Sequence, residues 1–180
     1  MWTLPEYLNL KFNEIKLDYL KFSFEQAEKF LNELVRTGDN ISKKAHAVLV
    51  IAISIFTLSL SAWSSSVIKS PELIVAAICL SSISFVVVVI LIHPIWSYKT
   101  YVSGSDPSSL LKQELVESFS DQDNVLKNLI LTELVNYQYR IDHNDKINMH
   151  RIKYVDRAMF LLVAAPILSW LFGELYTVLF

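Results

Sequence analysis

The chain holds one cysteine, three glycines and five prolines in 180 residues. Cys79 therefore has no partner for an intramolecular disulfide, and a cysteine-rich metal site is excluded. Scarce glycine and proline disfavour an all-β fold built on tight turns and favour long helices. Charge is scarce as well. Asp, Glu, Lys and Arg make up 19% of the residues, below the roughly 25% of an ordinary soluble domain. The net charge of −2 leaves no basic excess of the kind that binds nucleic acid. Two stretches carry no Asp, Glu, Lys or Arg at all: residues 45–68, 24 long, and residues 73–98, 26 long.

What is present is apolar. Hydrophobic residues make up 53% of the chain, and the mean hydropathy is +0.37. About 20 apolar residues suffice for a helix to cross a bilayer core, and a helix in water keeps a charged face that these stretches lack. The expected fold is all-α and integral to a membrane, with a two-helix transmembrane hairpin at 45–98, a third span and a cytoplasmic helical layer. Four segments follow: a cytoplasmic amphipathic helix at 1–44, the hairpin at 45–98, a cytoplasmic helical segment at 99–157 and an apolar helix at 158–180. The first 40 residues hold Glu6, Glu14, Asp18, Glu25, Glu28 and Glu33 and no short apolar core of a signal peptide. The first span is thus expected to direct insertion itself.

Along residues 5–44, Leu8, Phe12, Ile15, Tyr19 and Phe22 recur at steps of four and three, with Ala27, Leu31 and Leu34 continuing the stripe. This predicts a long amphipathic helix with a 3.5-residue seam. Gly38, Asp39 and Asn40 predict a break or kink before the first span. Trp63, and the group Trp96, Tyr98 and Tyr101, suit the two membrane interfaces. Residues 64–72 read as a short polar loop, and Gly104 with Asp106-Pro107 as a turn. Residues 108–143 read as helical with an interruption near 120–124, and 143–148 as a polar bend before the final apolar helix.

Lys and Arg set the expected orientation. Residues 1–44 carry seven, the hairpin loop carries only Lys69, and residues 99–157 carry eight. By the positive-inside rule the two large segments, and with them the N-terminus, lie in the cytoplasm.

No motif of catalysis stands out. There is no His-Glu-x-x-His pair, phosphate-binding glycine loop or Gly-x-Ser-x-Gly elbow. The spans lack the ionisable groups of proton relays and ion-coupled transporters. The densest polar cluster is 139–151, and Arg140, His143, Asn144, Asn148 and His150 are its candidate functional residues. It reads either as a solvated turn rich in capping residues or as a ring at a cytoplasmic pore mouth. Ser54, Ser61 and Ser65, seven and four apart, form a face suited to helix packing or to lining a narrow polar path. Three spans are too few to enclose an aqueous channel, so a pore requires a homo-oligomeric ring.

The order of these pieces resembles small membrane effectors of bacterial antiviral defence. The matching parts are the linker Gly38-Asp39-Asn40-Ile41-Ser42-Lys43-Lys44, the hairpin 45–98, the turn Gly104-Ser105-Asp106-Pro107 and the joint 137–151. The outline is similar to the membrane accessory proteins of type VI-B CRISPR systems and, next, to Pycsar-type transmembrane effectors. That resemblance implies an oligomeric pore in the bacterial inner membrane, and the lack of a catalytic motif makes a non-enzymatic protein the expectation. It would depolarise the cell and enhance an RNA-guided nuclease system acting upstream, with no cofactor and no direct nucleic-acid binding. The resemblance also carries a ribonuclease label of the higher-eukaryote-and-prokaryote nucleotide-binding type, whose sites place four to six residues between Arg and His. Here two residues separate Arg140 from His143, and nine separate Arg140 from His150 and Arg36 from His46. The spacing departs from the pattern. A membrane anchor recruiting a soluble partner and a membrane-tethered ribonuclease remain the alternatives.

Overall fold

The computed structural model describes residues 15–64, 70–96, 101 and 122–179. Three helices account for nearly all of them: α1 (Leu17–Ser64), α2 (Pro71–Trp96) and α3 (Gln122–Leu179). Each is long and apolar enough to cross a membrane, and no strand occurs among the described residues. The protein is all-α and a multi-pass membrane protein. Its helical hairpin and third apolar helix stand where composition put them.

The chain divides into two compact units, Met1–Gly38 with Thr100–Ile147, and Asp39–Lys99 with Asn148–Phe180. Of the segment expected to be a single cytoplasmic piece, 99–157, the last turns from Asn148 group with the apolar hairpin.

One spacing organises α1. Leu20, Phe24, Ala27, Leu31, Leu34, Gly38, Ile41, Ala45, Val48, Ala52, Ile55 and Ser59 are all buried or half-buried. Their steps alternate four and three without a fault, which keeps one stripe on one face of a helix. This corrects two expectations. Tyr19 and Phe22 point outward, 65% and 58% exposed, and Leu20 is inside. The step of five from Phe22 to Ala27 breaks the alternation, so the phase carried by Ala27, Leu31 and Leu34 extends back to Phe24 and Leu20. Leu8 and Phe12 lie outside the described residues. The break at Gly38 is also absent, since α1 runs through it. Glycine costs a helix interior about 1 kcal/mol. Gly38 occupies a buried seam position here, and packing on both sides of it overrides that local penalty.

The polar bend at 143–148 is likewise absent, because α3 is continuous for 58 residues. Its inward positions are Tyr137, Ile141, Asn144, Asn148, Arg151, Val155, Ala158, Leu162, Ala165 and Ser169, again four and three apart, followed by Gly173. Polar side chains at 144, 148 and 151 are thus seam residues and not caps. Of the interruption expected near 120–124, residues 122–124 are helical, and 120–121 lie outside the described residues. Of the loop expected at 64–72, Ser64 ends α1 and Pro71 and Glu72 open α2; residues 65–69 and the turn at 104–107 lie outside the described residues.

In the first unit, Leu31, Tyr137 and Ile141 form a small core with Phe24, Ala27 and Leu34 packed on it. Phe24 meets Tyr137 edge to face at 5.1 Å. In the second unit, Ile41, Ala45, Val48 and Ala52 of α1 pack with Val87 and Leu91 of α2 and Val155 and Ala158 of α3. Outward from that core stand Val50, Ile53 and Leu58 of α1 and Phe160, Val163, Ile167 and Trp170 of α3, all exposed. Such an apolar outer surface is unfavourable in water and natural in lipid. Ser70 precedes α2 and its carbonyl accepts from the Ile74 N–H at 3.2 Å. That makes Pro71 the first helical residue, where its missing N–H costs nothing.

Candidate functional site

The polar cluster falls on both sides of the unit boundary at 147/148. In the first unit its centre is Asn144, wholly buried. The amide Nδ2 donates to the main-chain carbonyl of Tyr101 at 2.7 Å, and Oδ1 accepts from the Tyr101 N–H at 2.9 Å. One side chain thereby satisfies both backbone groups of one residue. An amide suits this role because it carries a donor and an acceptor side by side. The Tyr101 ring lies edge-on to His143 at 4.8 Å and 6.0 Å from Tyr139. Tyr139 stacks on His143 at 6.3 Å. His143 is therefore one leaf of an aromatic packing. Arg140 places its guanidinium over the Tyr137 ring, 5.6 Å from the centroid, a cation–π contact.

In the second unit the corresponding residue is Arg151, which is buried. Its Nε donates to the main-chain carbonyl of Pro94 at 3.1 Å, and its guanidinium also donates to the Ser42 hydroxyl. One side chain on α3 thus joins α2 and α1. The last four carbonyls of a helix lack intrahelical donors, and positive charge is favourable there. Arg151 meets both needs at the end of α2. Alongside, His93 packs on Tyr154 at 5.3 Å. Asn148 is buried on the seam and His150 is exposed. Of the five candidates in this cluster, the structure brings Asn144 and His143 together around Tyr101. Arg140 sits over Tyr137, and Asn148 and His150 belong to the other unit.

The serines separate into two sets. Ser54 is exposed on α1 and bonds back to the Val50 carbonyl at 2.9 Å. Thr57 does the same to Ile53 at 2.8 Å, and Ser64 donates to the Ser61 carbonyl at 3.1 Å. Ser61 is exposed too, and Ser65 lies outside the described residues. At about 100° per residue, 54, 57, 61 and 64 project from the face opposite the seam residues Ala45, Ala52 and Ser59. They take no part in packing within the hairpin. The buried set is Ser59, Ser81, Ser84 and Ser169, and the hydroxyls of Ser81, Ser84 and Ser169 have no hydrogen-bond partner. They share their seams with Ala77, Ala165 and Gly173, small residues that let helices approach closely. Gly173 shows how closely: a Cβ there would lie 2.8 Å from the Glu72 carbonyl oxygen.

Sequence reasoning missed Ser169 and Gly173, and it placed Arg151 in the polar cluster without choosing it as a candidate; Ser84 is one of the span hydroxyls that suit close helix packing. Extending the four-three spacing of Tyr137, Ile141 and Asn144 along α3 reaches Arg151 and Ser169 directly. Among the described residues no group of three His, Cys, Asp or Glu side chains could hold a metal ion. No known protein family, curated protein or solved structure matches the chain.

Proposed function

We propose that this protein is a non-enzymatic membrane effector that assembles into a ring in the bacterial inner membrane and opens an ion-conducting path. The observation that carries the reading is the two-faced α1. One face is the buried seam, and the opposite face is a stripe of Ser54, Thr57, Ser61 and Ser64 exposed within an uncharged, membrane-crossing stretch. Hydroxyls facing outward from a single chain suit contact with neighbouring copies or a narrow polar path. Tyr19, Phe22 and Phe30, exposed on the part of α1 in the first unit, offer further apolar surface for self-association. The antiviral role, and an RNA-guided nuclease system acting upstream, rest on the resemblance in the order of the segments. The N-terminus lies in the cytoplasm on the Lys and Arg distribution.

The test is membrane potential in bacteria expressing the chain, followed with a voltage-sensitive dye before and after phage challenge, together with mass in mild detergent. Protein-dependent depolarisation and a multimeric mass are expected. Replacing Thr57 and Ser61 by Leu removes the depolarisation. Unchanged potential with protection intact, or a monomeric mass, rejects the pore.

Tyr19, Phe22 and Phe30 also favour a second reading, a membrane anchor that recruits a soluble partner through that face. It predicts partner capture that Phe22→Asp abolishes, with the membrane potential unaffected.

A further inference from the structure

In the second unit, α3 changes character along one face. His150, Lys153 and Arg157 are all exposed and stand three and four residues apart. At about 100° per residue they fall within about 60° of one another, on the side away from the seam residues Arg151, Val155 and Ala158. The same alternation continues through Phe160, Ala164 and Ile167. Phe160 and Ile167 belong to the exposed apolar surface. Arg157 is the last basic residue of the chain, and beyond it only Glu174 is charged. One outward stripe therefore passes directly from cations to lipid-facing hydrocarbon, which puts its basic part at the depth of lipid headgroups.

Residues four apart on a helix hold their Cβ atoms about 5–6 Å from each other, close enough for one phosphate to meet both side chains. Lys153 and Arg157 carry like charge at that spacing, which is unfavourable while nothing lies between them. Among the described residues neither has a hydrogen-bond or ion-pair partner. Asp156, the nearest acid in sequence, lies about 100° round the helix from Arg157. An anion satisfies both cations with charge-assisted hydrogen bonds, whereas a zwitterionic headgroup brings its own ammonium against a cationic face. Basic residues at this depth attract anionic lipid. The apolar continuation selects an amphiphile over a free phosphate, because Phe160 and Ile167 give an acyl chain a surface to lie on.

We propose that this face of α3 binds a phospholipid of net negative charge. Lys153 and Arg157 hold the phosphate, and an acyl chain runs along Phe160 and Ile167. His150, two turns from Arg157 on the side away from the apolar region, offers a ring nitrogen to the outer part of the headgroup. The site belongs to α3 and requires only that the helix cross a bilayer. It stands whether or not the protein forms a pore.

The full-length chain, stripped of lipid in mild detergent, is mixed with phosphatidylglycerol, phosphatidylethanolamine or phosphatidylcholine of matched acyl chains. Retained lipid is counted by native mass spectrometry. Phosphatidylglycerol is expected to be retained in preference to both others. Arg157→Gln should lower its retention by about tenfold, the worth of one charge-assisted hydrogen bond. Lys153→Gln with Arg157→Gln should erase the preference. Lys44→Gln supplies the control. Lys44 is an exposed cation of α1, two residues from the Ser42 that Arg151 holds, so it lies at a similar depth on another helix. That variant should keep the preference. All three residues are exposed, and unchanged helicity by circular dichroism confirms that the variants fold. Retention indifferent to headgroup, or unaltered by the double variant, overturns the proposal. An equal loss on Lys44→Gln also overturns it, since diffuse positive charge and not this face would then hold the lipid. So does displacement of the lipid by an equal concentration of inorganic phosphate, which would make the acyl chain irrelevant.

Discussion

Arg151 of α3 donates a hydrogen bond to the carbonyl of Pro94 in the last turn of α2 at 3.1 Å. Proline lacks an N–H, so Pro94 also leaves the carbonyl of Ile90 without its usual donor four residues on. The end of α2 is thus held from outside the helix, by a guanidinium that reaches Ser42 of α1 as well.

Arg151→Met should lower the thermal midpoint in detergent, with a cost of about 1–3 kcal/mol for leaving buried acceptors unmet. Arg151→Lys should recover little of it. A compact ammonium cannot reproduce the fork that serves both acceptors. Full recovery by lysine would show that charge alone matters at this position.

Asn144 makes two bonds to the backbone of Tyr101. Asn144→Ala should speed hydrogen exchange at the Tyr101 amide and expose the bond after Tyr101 to chymotrypsin. Asn144→Asp should do at least as much, because a carboxylate oxygen replaces the donor facing the Tyr101 carbonyl. Exchange unchanged in both variants would mean that the clamp does not order this segment.

Gly173 faces the backbone of α2. Gly173→Ala places a methyl 2.8 Å from the Glu72 carbonyl oxygen, so the helices must separate. The expected loss is about 1–3 kcal/mol, typical of overpacking, read as a lower thermal midpoint. Gly173→Leu should be worse.

Ser84 is wholly buried and its hydroxyl has no partner. Ser84→Ala removes that unmet group, and stability should rise or hold, by at most about 1–3 kcal/mol. Thermal unfolding of the variant measures this directly, and a clear loss of stability would show that the hydroxyl is satisfied in the bilayer.

The seam phase can be checked on α1. Leu20→Ala should cost about 2–5 kcal/mol, as buried leucines do, whereas Tyr19→Ala should stay within about 0.5 kcal/mol, as exposed positions do. Comparable effects at the two positions would contradict the phase described above.

The sequence by itself determined that the chain is helical and crosses a membrane. A run of 24 or 26 residues without charge has one stable environment, and the backbone must then satisfy its own hydrogen bonds. It also determined the period of the packing, because steps of four and three are a property of the helix. Tertiary structure decided the phase and the continuity. Gly38 and the stretch from His143 to Asn148 carry local signals for ending a helix, worth about 1 kcal/mol each. Side-chain packing on either side outweighs them, and the residues that looked like caps became seam positions. The same step turned Ser54 and Ser61 outward and Ser84 inward. Which serine is buried depends on which neighbouring helix lies against each face, and composition and spacing carry no record of that.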